Sequence, residues 1–145
     1  VNLLIFGSRN VDIESTKKRM REYLVAKKPT KIITASDPDG VCRIAQELAK
    51  EFCLPLTLHF LDPKRNQGMY HHRSVAATID CDEAVFFYNG KSKGTANEIE
   101  VATKLSKKFE IITVKEVQLS EIEEEIANAK RELNLDDLKI KNIDF

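Results

Sequence analysis

One ten-residue stretch holds the densest set of chemically able side chains, Asn89-Gly90-Lys91-Ser92-Lys93-Gly94-Thr95-Ala96-Asn97-Glu98, between the apolar run Ala84 to Tyr88 and a segment of helical spacing. It reads as strand, glycine loop, helix. Glycine lets a backbone turn tightly and approach a ligand, and a helix aims its free N–H groups and positive dipole end at the loop before it. Such a loop, with Gly90, Gly94 and Ser92 in it and Lys91 and Lys93 adding charge, suits a phosphate. Glu98 stands one turn into the helix, where a carboxylate could act on whatever the loop holds. The same residue closes a Thr95-x-x-Glu98 capping box, a role worth ~1 kcal/mol that asks for no ligand. Spacing alone leaves both readings open.

Other residues join this set only if the fold brings them to it. Arg9 directly follows Gly7-Ser8 at the end of an apolar run, where it either grips a phosphate bidentately or is an exposed turn residue. Arg73 is either a partner of Glu98 or one more solvated helix charge. Asp37 and Asp39 lie in the turn Ser36 to Gly40, and Asp39 precedes a helical segment as a plausible N-cap. Capping or turn formation is their structural reading, and holding sugar hydroxyls their functional one. His71 and His72 are adjacent, hence about 100° apart on a helix, and cannot ligate one metal as an i, i+4 pair can. No metal and no cofactor is expected. His59, within a strand, reads as a core or pocket-edge residue.

Several signatures are missing. There is no G-x-x-x-x-G-K-[ST] phosphate loop, the first loop has one glycine where a dinucleotide fingerprint needs three, and neither a nucleophile elbow nor a Cys-His pattern occurs. Nucleotide-sugar binding is the sharpest chemical reading that survives.

The elements that must position these residues follow from the hydropathy pattern. Asn2 to Phe6, Lys31 to Ala35, Leu56 to Leu61, Glu83 to Tyr88 and Glu110 to Val114 are apolar or β-branched runs closed by polar turns, and they predict five strands. Helices are predicted over Asp12 to Ala26, from near Gly40 to Phe52, over Met69 to Ile79, and after the glycine loop through Ile99, Ala102 and Leu105. The second has the clearest period, with Val41, Ile44, Ala45, Leu48, Ala49 and Phe52 on one stripe. Strands alternating with helices at this spacing predict right-handed crossovers and an α/β Rossmann-like three-layer sandwich, its mostly parallel sheet covered on both faces. Ligands of such sheets bind beyond the carboxyl ends of the strands, which gathers Gly7 to Arg9, Ser36 to Gly40, Arg73 and Gly90 to Glu98 at one edge.

Residues 1–114 account for this domain. Residues 115–145 differ in character: Ser120 to Leu133 is acidic, with Ile122, Ile126, Ala129 and Leu133 on one side and Ser120 and Glu123 as a capping-box pair. A final helix packed on the domain or on a second subunit is expected there, followed over Asn134 to Phe145 by a strand-like arm or a frayed end.

The chain has 145 residues, with 23 basic and 23 acidic side chains, so no general attraction to nucleic acid or to an anionic membrane is expected and any anion site must be local. Cys42, Cys53 and Cys81 lie in or beside apolar segments without C-x-x-C spacing, which predicts reduced, buried thiols. No apolar run approaches the ~20 residues of a membrane span, and the first residues do not show the layout of a signal peptide. A cytoplasmic protein is the expectation.

With these residues assembled, the chain resembles the SLOG superfamily of Rossmannoid nucleotide-binding proteins, which includes the "lonely guy" phosphoribohydrolases, the DNA-processing protein A family and small YpsA-like proteins. Ile5-Phe6-Gly7-Ser8-Arg9 is similar to the family's opening strand and G-S-R loop, and His71-His72-Arg73-Ser74 to the segment around its pocket arginine. Gly90 to Thr95 with Ala96-Asn97-Glu98 looks like its G-G-x-G-T-x-x-E phosphate loop. The motifs span residues 2 to about 114. Where small YpsA-like proteins carry G-G-A-R-G-A-D, this chain has Ser36-Asp37-Pro38-Asp39-Gly40-Val41-Cys42, and Tyr88-Asn89-Gly90 stands where the phosphoribohydrolases have P-G-G.

The resemblance implies that Gly7, Ser8, Gly90, Gly94 and Thr95 bind phosphate, that Arg73 and Glu98 flank an N-glycosidic bond, and that the protein forms a homodimer. Arg9, Ser36, Gly40, Lys91 and Ser92 complete the expected nucleotide-binding set. Three functions stay open: binding of a nucleoside monophosphate, ADP-ribose or related ribose phosphate; metal-independent hydrolysis or transfer at the N-glycosidic bond, as in phosphoribohydrolases or deoxyribosyltransferases; and a nucleotide-sensing module whose acidic tail reports ligand binding to a partner.

Overall fold

The computed structural model describes residues 1–65 and 67–117, with Ile126 and Ala129 beyond them. The elements alternate without exception: β1 (Asn2–Gly7), α1 (Ile13–Lys27), β2 (Lys31–Ala35), α2 (Gly40–Glu51), β3 (Leu56–His59), α3 (Met69–Asp80), β4 (Glu83–Tyr88), α4 (Lys93–Lys104) and β5 (Lys108–Thr113). The strands form one sheet in the order β3-β2-β1-β4-β5, and every neighbouring pair is parallel. The predicted α/β three-layer sandwich is therefore the observed fold. β3 stops at His59, two residues short of the predicted Leu61, and β5 starts at Lys108 rather than Glu110. The expected helix over Ser120 to Leu133 and the arm after it lie outside the described residues, except that Ile126 and Ala129 are helical.

Side-chain alternation along the strands builds the two cores. Leu3, Ile5, Val85 and Phe87 point to the face covered by α1 and α2, where Met20, Leu24, Ile44 and Leu48 meet them. Leu4, Phe6, Ala84 and Phe86 point to the other face, against Ala77 of α3 and Ala102 of α4. The α2 stripe buries Val41, Ile44, Ala45, Leu48 and Ala49 as its period requires, while Phe52 is only partly buried. A fully buried Leu or Ile contributes roughly 1.5–3 kcal/mol, so this face anchors α2 and the loop that leads into it. Asp12 starts α1 by accepting a bond from the Ser15 N–H (3.1 Å), and Lys28 ends it in the left-handed region.

The connections make the sheet's geometry functional. From β1 the chain moves outward to β2 and β3, then returns to β4 on the other side of β1, so the crossovers part company between the carboxyl ends of β1 and β4. A crevice opens at such a switch point. Gly7, the last residue of β1, is in register with Phe87, which sets the loop after β1 directly beside the loop after β4. Among the described residues no helix is long and apolar enough to cross a membrane.

Candidate functional site

The loop after β4 is organised by Asn89. Its Oδ1 accepts from the backbone N–H groups of Lys91 (2.9 Å) and Ser92 (3.1 Å), its Nδ2 donates to the Asn10 carbonyl (3.0 Å), and its own N–H donates to Ser8 Oγ (3.1 Å). Gly90 follows with φ +85°, a conformation glycine adopts freely. Ser92 then caps α4, its Oγ accepting from the Thr95 N–H at 3.3 Å. The N–H groups of Lys93 and Gly94, first in the helix, are left without intrahelical acceptors. Thr95 Oγ1 donates back to Ser92 Oγ (3.1 Å) and lies 3.3 Å from Ser8 Oγ, joining the two loops through hydroxyls.

This start corrects the reading of Glu98 as a cap. With Ser92 as N-cap, Thr95 itself occupies the third helical position, and Glu98 lies too deep in the helix to reach the capping residue. The residue is 9% exposed, and no hydrogen bond holds its carboxyl among the described residues. Burial pushes its pKa up to about 8, with Arg73 opposing, Asp37 reinforcing and Arg9 opposing the shift. At neutral pH it is largely a neutral carboxylic acid.

Arg73 comes from α3 and is 5% exposed. Its two terminal nitrogens meet the two carboxylate oxygens of Asp37 at 2.8 and 3.4 Å, a fork-to-fork pair. Asp37 therefore pairs with Arg73 rather than capping α2, whose N-cap position is held by Asp39; Gln46 of α2 holds the Asp37 loop by donating to the Ala35 and Asp37 carbonyls (2.8 and 2.9 Å). Asp39 does occupy the N-cap position of α2, but its side chain makes no capping bond. Arg9 Nη2 also approaches Asp37 (3.8 Å), and the Tyr70 ring lies 5.4 Å from the Arg73 guanidinium and 5.9 Å from that of Arg9. The Arg73 Nε is buried without an acceptor among the described residues.

These groups share one cleft of about 550 Å³, whose walls include Gly7, Arg9, Arg73, Lys91, Ser92, Gly94, Thr95 and Glu98. Eight of the predicted residues thus converge. Ser8 lies just beneath, buried and bonded to the loop rather than open to a ligand. Ser36, Gly40 and Gly90 are not on the walls. The Ser36 N–H is turned to the His59 carbonyl (3.1 Å). Gly40, at φ +65°, lets the loop after β1 rest on the start of α2: a Cβ there would stand 2.5 Å from Arg9 Cα, and the Val41 N–H donates to the Ser8 carbonyl (3.2 Å).

Sequence reasoning assigned no role to Asn89, Tyr70, Ser74, Asn97 or Glu116, all of which line the cleft. Asn89-Gly90 is a turn signal that could have marked the first. Glu116 reaches the cleft from the segment after β5 and pairs with Lys91 at 2.9 Å. Elsewhere, His59 Nε2 pairs with Asp80 (3.2 Å), while His71 and His72 are exposed. Among the described residues no cluster of His, Cys, Asp or Glu could hold a metal. Cys42 and Cys81 are buried, and burial raises both thiols to about 11, but Cys53 is exposed, contrary to expectation, because it ends the α2 connection in a left-handed turn at φ 53°.

No protein-family model matches the chain, and no curated protein matches it.

Proposed function

We propose that the cleft binds a nucleoside monophosphate or a related ribose phosphate, ADP-ribose included, in the manner of the SLOG proteins that the motifs resemble. The phosphate sits at the start of α4, on the free N–H groups of Lys93 and Gly94 and within reach of Lys91 and Arg9; helix dipole, backbone donors and cations act together there. One observation carries this reading. Among the described residues the cleft-lining Arg73 Nε is buried without an acceptor and the largely buried Glu98 carboxyl makes no hydrogen bond, and leaving a buried polar group unsatisfied costs roughly 1–3 kcal/mol. A ribose and its base would offer the missing hydrogen bonds.

The position of Glu98 also favours a second reading, turnover at the N-glycosidic bond. A neutral carboxyl can protonate a departing base, and once ionised it can stabilise the positive charge that develops on the sugar. Incubating the full chain with AMP, dAMP, cytokinin monophosphates and ADP-ribose, and measuring affinity and released base, separates the two. Saturable binding without release supports binding alone. Release that Glu98→Gln abolishes supports the hydrolase, and release that survives that change removes Glu98 from it.

A further inference from the structure

Buried acids and buried arginines ordinarily pair with each other, because an unpaired charge in low dielectric is costly. Of the two arginines on this cleft only Arg73 is buried, and two carboxyls lie deep beside it, Asp37 and Glu98; the pairing is unequal. Asp37, 13% exposed at its side chain, takes both terminal nitrogens of Arg73, and the more deeply placed Glu98 has none. The arrangement is built, not incidental. Gln46 fixes the backbone of Asp37 from below, Arg9 approaches the same carboxylate from the loop after β1, and the Tyr70 ring lies against both guanidinium groups.

We propose that Asp37 is the positioning residue of this site: by clamping the Arg73 guanidinium it withholds that cation from Glu98, so that Glu98 meets the ligand as a hydrogen-bond donor rather than as half of an ion pair. The inference rests on the ligand reading only for what Glu98 donates to. It adds a selectivity that the phosphate loop cannot provide, because a donor at this point requires an acceptor on the ligand, such as a ring nitrogen of a base or a sugar oxygen, and disfavours a cationic or donor group. The charged and titratable groups acting on Glu98 are consistent with it: Arg73 from α3, Asp37 from the loop after β2, Arg9 from the loop after β1 and the Cys42 thiol of α2. Burial and Asp37 together outweigh the two arginines there. Freed from Asp37, Arg73 would be the nearest source of compensation for an ionised Glu98.

The test needs no ligand, so its failure is distinct from failure of nucleotide binding. The Glu98 carboxyl carbon is followed by pH titration in full chain carrying ¹³C-labelled glutamate, its signal assigned by its loss in Glu98→Gln. In the unaltered protein a midpoint of about 8 is expected. In Asp37→Asn the midpoint falls by roughly one to three pH units as Arg73 turns to Glu98, and Asp37→Glu restores it. An unmoved midpoint in folded Asp37→Asn overturns the proposal. A second measurement on the unaltered chain guards against a variant that does not fold: scalar coupling across hydrogen bonds from the Arg73 side-chain nitrogens to carboxylate carbons. Coupling to Asp37 and not to Glu98 is expected; coupling to Glu98, or none to Asp37, overturns it.

Discussion

Ser8 and Thr95, far apart in the chain, bring their hydroxyl oxygens to 3.3 Å in the buried floor beneath the cleft. One belongs to the loop after β1, the other to the first turn of α4. Through Ser92 and Asn89 the same network fixes the loop that aims the helix at the site. The glycine loop after β4 is thus held from the neighbouring strand as well as by its own turn.

Ser8→Ala removes that link and leaves the Asn89 N–H without its acceptor. Stability falls by roughly 1–2 kcal/mol in urea unfolding, and phosphate-ligand affinity falls with it because the loop is less ordered. A variant as stable as the parent, with unchanged affinity, would show that the hydroxyl pair does not organise the loop.

Two glycines separate crowding from backbone strain. A Cβ on Gly7 would press on the Phe87 carbonyl and stand 2.7 Å from both Val41 methyl groups, and the backbone atom cannot yield. Gly90 has open space, and only its φ of +85° resists a side chain. Gly90→Ala therefore costs about 1–2 kcal/mol, and Gly7→Ala more than that. Thermal unfolding of the two variants checks the order.

The raised pKa of Glu98 makes a signed prediction. Between its ordinary value of 4.5 and about 8 the unfolded chain gives up this proton while the folded chain keeps it. Stability from this group is therefore fully present below about pH 4.5, is lost as pH rises toward 8, and changes no further above it, a difference on the order of a few kcal/mol. Glu98→Gln removes that slope. Denaturant midpoints at pH 5 and pH 8.5 should converge for the variant relative to the parent; the same spread in both would rule out the shift.

Lys91 is held by Glu116 across the mouth of the cleft. Glu116→Gln frees the ammonium for a ligand phosphate and strengthens binding of inorganic phosphate or AMP by about two- to fivefold at low salt, an effect that 0.5 M salt erases. Calorimetric titration at two ionic strengths measures it, and weaker binding would place Glu116 among the ligand's supports instead.

The α/β order and the α2 stripe were legible because they are local patterns: alternation along strands, and Val41, Ile44, Leu48 at helical spacing. The glycine loop and Arg9 also read correctly as neighbours, since switch-point geometry follows from strand order. The start of α4 did not. Thr95-x-x-Glu98 and Ser92-x-x-Thr95 both fit a helix start, and the choice was made by Asn89, whose amide gathers the preceding N–H groups. Nor was the Asp37 pairing legible, because its partner arrives from α3 and depends on where that helix packs. Cys53 read as buried from its apolar neighbours, yet it sits at a turn facing outward.

Titrating ¹⁵N-labelled full chain with AMP, with ribose 5-phosphate and with adenosine, and following the backbone amides, tests the central claim most directly. The account predicts saturable shifts with AMP that concentrate at Asn89 to Thr95, at Ser8 and Arg9 and around Tyr70 to Ser74, a subset at the loop with ribose 5-phosphate, and far weaker effects with adenosine. Shifts absent with all three compounds, or gathered on a surface away from the carboxyl ends of β1 and β4, would contradict it.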